Sequence, residues 1–586
     1  MLSIRRMSNY FSLYYKLKTL ENNILKTKYL FPQLRKYTKY KTVRHYSVNK
    51  KVEKQEEHVK TTGKFVPFLQ TINIRRSEAR RSIIVQVQST QSFKELWSYC
   101  NSIGSVKYMF HYSIGIEPLH FIIVEFAKEE DVKSLMSCSI YSEGHSAMPT
   151  QSHFMWFKAA SKKIKLKQSK SAKLFVEHGT QIKVEEEIKT SLSKCESVSD
   201  QIKSLHELTK LNEVGTRLRF LTALQIEDAV TGMFPSAIAY PFGSSVNGYG
   251  KMGCDLDLFL RLTDDKKKED GRLVFHCKPL NGSERTMTQR HMEAIGDMIH
   301  LFLPGCGQVR RILQAAVPII KYHQQLTDVE CDVSMSNMSG VHMSDFLYIM
   351  GELDERVRPL IFAIRNWAKI VGITNSAPGR WISNFSLTLL VLAFLQNPQS
   401  GKPVLPTLNQ LGQLAGKNDQ FLLEDGTDCT FLRDITNYKH ETKNTDTLEE
   451  LLIEFFVHYA HFDFENKAVC LNDTAVIAKP EHTAMYIINP LERGLNVSRN
   501  VSIEEVTRFK SEVKNAAWVL ESNEKSLNWG LLSIQTAPNV TNSMFQKAVA
   551  AQAHAKAGRL VEIKSIFEKD AEDMKRGGEK VKNKQR

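Results

Sequence analysis

Residues 240–262 read YPFGSSVNGYGKMGCDLDLFLRL, and no other stretch constrains the fold as tightly. Alternation from Asp255 to Leu260 predicts a strand with Asp255 and Asp257 on one face and Leu256 and Leu258 turned into a core. Two carboxylates fixed side by side repel each other, and a divalent cation removes that cost. The upstream Gly243-Ser244 turn can bring backbone N–H groups and a hydroxyl to a phosphate chain without steric bulk. The pattern therefore predicts a metal site facing a phosphate site. Two rival phosphate-binding readings fail. Gly248, Gly250 and Gly253 satisfy G-x-G-x-x-G, but that fingerprint must open a helix, and these glycines precede a strand. No G-x-x-x-x-G-K-[ST] run occurs, which excludes a P-loop. Two-metal phosphoryl transfer needs a third acid. Asp332 supplies one from the strand-like run VECDV, with Glu330 on the same face.

At 586 residues, 42% hydrophobic and 24% charged, the chain has the makeup of several globular domains. Residues 1–46 carry eleven Lys/Arg and the single acid Glu21, interleaved with Leu and Ile. That is the composition of an amphipathic mitochondrial presequence, and Arg44-His45-Tyr46-Ser47 matches a processing pattern; a basic nucleic-acid-binding arm is the alternative. No apolar h-region argues for secretion. The longest later apolar run, 387–395, falls far short of the ~20 residues a bilayer requires, so no membrane span is expected. Nine cysteines without a C-x-x-C exclude a zinc ribbon and a thioredoxin-type pair. His458 and His461 lack a third ligand nearby and read as structural.

Residues 47–80 read as a charged linker. Residues 81–160 predict strand 82–88, helix 93–103, strands 106–112 and 119–126, helix 129–136 and strand 154–157. This βαββαβ order is the ferredoxin-like plan of RNA-recognition modules, which stack bases on aromatic side chains of the central strands. Here Phe121 and Phe126 are kept, but Ile123 and His120 replace expected residues and the first strand offers Val85 and Val87. The module is expected to serve chiefly as a packing or self-association surface, with direct RNA contact as the alternative. Residues 161–199 read as a basic linker followed by a helix, within reach of seven lysines between Lys158 and Lys173.

Gly243-Ser244, Asp255-x-Asp257 and Asp332 together resemble the polymerase-beta-like nucleotidyltransferase superfamily. Residues 353–373 (LDERVRPLIFAIRNWAKIVGI), 381–396 (WISNFSLTLLVLAFLQ) and 488–501 (INPLERGLNVSRNV) resemble the poly(A) polymerase-associated domain of poly(A) and terminal uridylyl polymerases. The resemblance implies an α+β multidomain chain: the RRM-like module over 81–160, a nucleotidyltransferase palm with a mixed sheet over 236–345, a helical central and poly(A) polymerase-associated domain over 200–235 and 346–545, and a charged tail over 546–586. It implies that Asp255, Asp257 and Asp332 hold two Mg²⁺ or Mn²⁺ ions, and that Asp332 activates the RNA 3′-hydroxyl. Gly243 and Ser244 would meet the ATP phosphates, Arg365 and Lys369 the leaving pyrophosphate, Ser344 the ribose, and Asn384 and Phe385 the nucleotide. Uridylyl-selective relatives carry a His where Leu495 stands, so ATP is expected; Met343 stands where the family commonly has Asn. The implied activity is template-independent addition of AMP to RNA 3′ ends in the mitochondrial matrix by a homodimer. Terminal uridylylation, and an RNA-binding scaffold with a dead transferase domain, are the alternatives.

Overall fold

The computed structural model describes residues 65–535 apart from 142–147, 160–173, 177–182, 263–275, 277–280, 337, 376–378, 399–400, 439, 474–476 and 523–528. The expected presequence, the charged tail and most of the lysine run lie outside the described residues. Part of the expected linker is instead a helix, α1 (Phe68–Arg80). Phe68, Ile72 and Ala79 share its buried face, while Arg75, Arg76 and Arg80 bind Glu213 and Glu227. Those acids lie far along the chain, so the arginines disguise an amphipathic helix as a charged linker.

The module follows in the expected order: β1 (Ser82–Val87), α2 (Phe93–Ile103), β2 (Val106–Ile114), β3 (Leu119–Phe126), α3 (Glu129–Cys138) and β4 (Phe154–Trp156). A further strand, β5 (Phe175–Val176), extends the sheet to the order β4-β1-β3-β2-β5. One strand departs from the ferredoxin-like plan. β4 pairs parallel with β1, whereas a strand entered directly from α3 would run antiparallel to it. The connection from Ser139 to His153 is long enough to carry the chain back along the sheet before it pairs.

The two faces of this sheet feed different cores. Ile83, Val85, Ile122, Val124 and Phe126 pack with Leu96 and Cys100 of α2 and with Val132 and Leu135 of α3. Ile84, Phe110, Tyr112 and Phe121 pack on α1 and on α6 (Glu213–Thr231). The face on which RNA-recognition modules stack bases is therefore covered by the chain's own helices. Packing is the reading that holds for this face, and direct RNA contact through it is overturned.

Helix α6 is buried at 14 of its 19 residues, as expected of a helix enclosed on all sides. Ala223, Ile226 and Val230 on its other flank enter the core of the next sheet. The expected assignment of 200–235 to the helical domain is thus half right. α5 (Val198–Thr209) joins that domain through Ile202 and Leu205, but α6 sits between module and palm.

The palm contains β6 (Ile238–Phe242), β7 (Leu256–Arg261), α7 (Glu284–Phe302), β8 (Cys306–Ile312), β9 (Ile319–Gln324) and β10 (Val329–Ser334). Its sheet order is β6-β7-β10-β9-β8, mixed as expected, with β7 and β10 parallel and the remaining pairs antiparallel. α8 (Met338–Leu353) leaves β10 and delivers Met343, Phe346 and Met350 to the helical core. That core also takes α4 (Glu185–Leu192), α9 (Val357–Ile370), α10 (Asn384–Gln396), α11 (Leu408–Gln413), α12 (Leu448–His461), α13 (Ile503–Glu521) and α14 (Leu531–Gln535). His458 packs against the rings of Phe394, Tyr459 and Phe462, a structural role as expected. No described helix is long and apolar enough to cross a membrane.

Candidate active site

β7 and β10 lie side by side because each buries an apolar face: Leu256, Leu258, Cys331 and Val333 are fully enclosed. Alternation turns Asp257 and Asp332 to the other face, where the parallel register sets them directly opposite each other. Asp255 precedes the first residue of β7. All three expected acids thus meet at one end of the sheet. Burial, then the charges of Asp332 and Asp255, push the Asp257 carboxyl up to about 7 against the pull of Lys321. Asp255 is raised as well, chiefly by burial, with Asp332 and Glu330 adding to it and Lys321 opposing. Repulsion of this kind is what a bound divalent cation relieves.

Lys321 is a member of the site that the sequence reading misses. It faces Asp332 across the β9–β10 pair, and its Nζ donates to both Asp332 carboxylate oxygens, at 3.0 and 3.3 Å. The same Nζ lies 4.0 Å from Asp255 Oδ2. Burial works to lower the Lys321 pKa, but the bond to Asp332 and the charges of Asp332, Asp255 and Glu330 raise it above its ordinary value. Among the described residues no three His, Cys, Asp or Glu side chains form a ready-made metal cluster. The donor set nevertheless suits a hard divalent cation in chemistry and charge. The signal for Lys321 is present in IIKYHQQLTDVECDV: the short connection Gln325–Asp328 forces a hairpin, and the hairpin register places Lys321 opposite Asp332.

Gly243–Ser245 forms a single 3-10 turn beside β7. Gly243 has φ +75°, and a Cβ there would lie 2.3 Å from Asp257 Oδ2, so only glycine fits. Its N–H donates to Ser344 Oγ at 2.7 Å, and Ser344 donates onward to the Gly340 carbonyl at 2.8 Å. Ser344, 2% exposed, fastens the turn to α8, and the Gly243 N–H is committed to it. Ser244 lines a cavity of ≈ 300 Å³ together with Ser245, Gly248, Gly250, Lys210 and Arg358, and none of the three aspartates lines that cavity.

Arg365 and Lys369 share α9 but differ in state. Arg365 donates to the Tyr249 carbonyl at 2.9 Å and to the Thr388 hydroxyl, and burial holds its guanidinium down at about 10. It braces the glycine loop instead of standing free as a clamp. Lys369 is exposed. Lys251, also missed, is lowered by burial and then by the charges of Lys369 and Arg365, with Asp255 opposing, so these cations cluster beside the acids. Asn384 is exposed at the start of α10, its carbonyl accepting from Thr388, and Phe385 packs partly against the helical core. The loop after Ile488 is closed on itself: Asn489 Oδ1 accepts from the N–H groups of Leu491 and Glu492, and Asn496 Oδ1 from those of Ile487 and Ser498. Leu495 is half-buried within it.

A mixed five-stranded sheet, backed by a helical domain and carrying paired aspartates next to a Gly-Ser turn, defines a nucleotidyltransferase palm. Residues 198–352 match the family model described as "Poly(A) RNA polymerase, mitochondrial-like, central palm domain". The Drosophila melanogaster "Poly(A) RNA polymerase, mitochondrial" is 45% identical over 512 residues, covering 84% of this chain and 82% of that one. The Homo sapiens protein of the same name is 34% identical over 488 residues, covering 80% and 82%. A crystal structure of mtPAP in complex with ATPγS superposes with a TM-score of 0.72 at 34% identity, over 80% of this chain and 99% of that one. The chain belongs to the mitochondrial poly(A) RNA polymerase family.

Proposed function

We propose that this protein is a template-independent polymerase that adds AMP from ATP to the 3′ ends of mitochondrial RNA. The observation that carries the assignment to a site is the register that sets Asp257 opposite Asp332, with Asp255 alongside and the Gly243 turn in contact with Asp257. In the reaction the RNA 3′-hydroxyl oxygen bonds to the ATP α-phosphorus, the bond from that phosphorus to the bridging oxygen breaks, pyrophosphate leaves, and the hydroxyl proton is lost. Asp255, Asp257 and Asp332 are the residues that would hold divalent cations. Such ions, when bound, neutralise the carboxylates and the charge developing on the transferring group. Asp332 is the carboxylate that would orient and deprotonate the RNA 3′-hydroxyl. Ser244 would offer a hydroxyl to the phosphate chain from a turn fastened by Ser344, with Arg365 bracing the loop beyond it at Tyr249. In this reading Lys369 and Lys251 would neutralise the departing pyrophosphate, and Asn384 and Phe385 would meet the nucleotide.

Relatives named mtPAP have been crystallised with ATPγS and with UTP, so occupancy of the pocket alone does not choose the base. Choice of ATP belongs to the self-bonded loop around Leu495. The reading places the protein in the matrix as a homodimer, on the strength of the presequence composition and the family resemblance; light scattering on the processed chain tests the dimer. The activity is tested by incubating the protein with RNA and each of the four nucleotides separately, with Mg²⁺ and with chelator. Extension by ATP that chelator abolishes is expected. Preferential extension by UTP, or none by any nucleotide, would reject the assignment.

A further inference from the structure

Lys321 is placed unlike an ordinary surface cation. A solvent-exposed Lys–Asp pair contributes only ~0–1 kcal/mol and is held loosely. Lys321 instead grips both oxygens of one candidate metal ligand and stands 4.0 Å from a second, with the side chains of Lys321 and Asp332 only 25% and 23% exposed. The pairing is dictated by the backbone, because Lys321 and Asp332 are direct partners in the β9–β10 register. Of the cations near the acids, Lys251 and Lys369 come from outside this sheet and make no ion pair with Asp332 among those observed. The other basic group on β9, His323, is engaged with Asp328 at 3.1 Å. Among the described residues, Lys321 is the cation that pairs with Asp332 and also reaches Asp255, whose carboxylate the charge of Arg219 favours as well.

An ammonium on Asp332 and a divalent cation on Asp332 compete for the same two oxygens and repel each other. We infer that Lys321 is a resident counter-cation of the aspartate cluster, which holds Asp332 in the metal-free protein and must move off it when a divalent ion binds. Lone metal ions then bind weakly, because each must first displace the ammonium from both Asp332 oxygens. A metal arriving with a nucleotide binds more tightly, because the phosphates offer the displaced ammonium a new partner. Lys321 thereby ties metal loading to nucleotide loading and acts as a positioning residue for Asp332. The inference deepens the proposed function and rests on its assignment of the three aspartates as metal ligands.

The test is Mn²⁺ binding to the full chain, followed by paramagnetic resonance of free Mn²⁺, with and without a non-hydrolysable ATP analogue. Wild type, Lys321→Met, Lys321→Gln, Lys321→Arg and Asp332→Asn are compared, each checked for folding by thermal melting. A charge removed from within ~4–6 Å of a binding group changes its equilibrium by roughly one to three powers of ten. The neutral variants are expected to bind Mn²⁺ alone at least ~10-fold more tightly than wild type. The tightening caused by the nucleotide shrinks in them, and Lys321→Arg stays near wild type. Their melting temperature in chelator falls and Mn²⁺ restores it. Unchanged or weaker Mn²⁺ binding in both neutral variants overturns the inference. Unchanged Mn²⁺ binding in Asp332→Asn overturns instead the assignment of the metal ligands, so the two failures are told apart.

Discussion

Gly243 and Asp257 share one small volume: the glycine gives up its side chain so that the carboxylate can approach, at a φ that L side chains rarely adopt. Replacing it with alanine puts a Cβ 2.3 Å from Asp257 Oδ2 in a left-handed backbone. Gly243→Ala is expected to lose ~10²-fold or more in AMP addition, a scale typical of removing one aligned group from a charge-stabilising site. It should cost about 1–3 kcal/mol of stability from backbone strain alone, measured by urea denaturation. At this scale the sequence is most informative where the physics is local. Alternation along β7 and β10 suffices to turn Asp255, Asp257 and Asp332 away from the apolar core of the sheet. It says nothing of what lies opposite them, so Lys321 and the Ser344 hydroxyl become visible only through strand pairing and through the docking of α8.

Among the elements, α6 carries the heaviest electrostatic commitment. Arg217 contacts Glu125 at 2.6 Å and Glu213 at 2.8 Å, with side chains of Arg217 and Glu125 only 3% and 0% exposed. Breaking a buried pair from one side is far costlier than replacing both partners. Arg217→Ala is expected to destabilise the protein by about 3 kcal/mol in urea denaturation, because it leaves the buried Glu125 with one of its arginine partners missing. Helix α12 carries a proton-linked counterpart. Burial lowers His458 to about 4, below the ~6.5 of an unfolded histidine. The native state therefore resists a proton that the unfolded state accepts, so this contribution is intact above pH ~6.5 and is lost as pH falls toward 4. Urea midpoints measured across that window should fall less steeply for His458→Gln than for wild type. The elements themselves are largely legible: the six of the N-terminal module fall within two residues of their expected bounds. α1 is not, because its polar face is completed by acids on α6, and the parallel pairing of β4 is not, because it depends on the path of a long connection.

At the scale of the whole molecule, the RNA-recognition-like sheet has become scaffold. Its would-be stacking face is spent on α1 and α6, and α6 passes the contact on to the palm core. The module supports the sheet that carries the aspartates, and RNA must be gripped elsewhere. The sequence anticipates a weak stacking surface from Val85, Val87 and Ile123, but only Ile123 lies on the covered face, Val85 and Val87 pack on α2 and α3, and the covering helices come from segments read as linker and as helical domain. All of this converges on the claim that three aspartates from two neighbouring strands perform the transfer. The most direct test is the single-turnover rate of AMP transfer from ATP to an RNA 3′ end by Asp257→Asn, with its folded fraction matched to wild type. The account predicts a fall of at least ~10³-fold, about 4 kcal/mol of lost transition-state stabilisation. A rate within about twofold of wild type would contradict it.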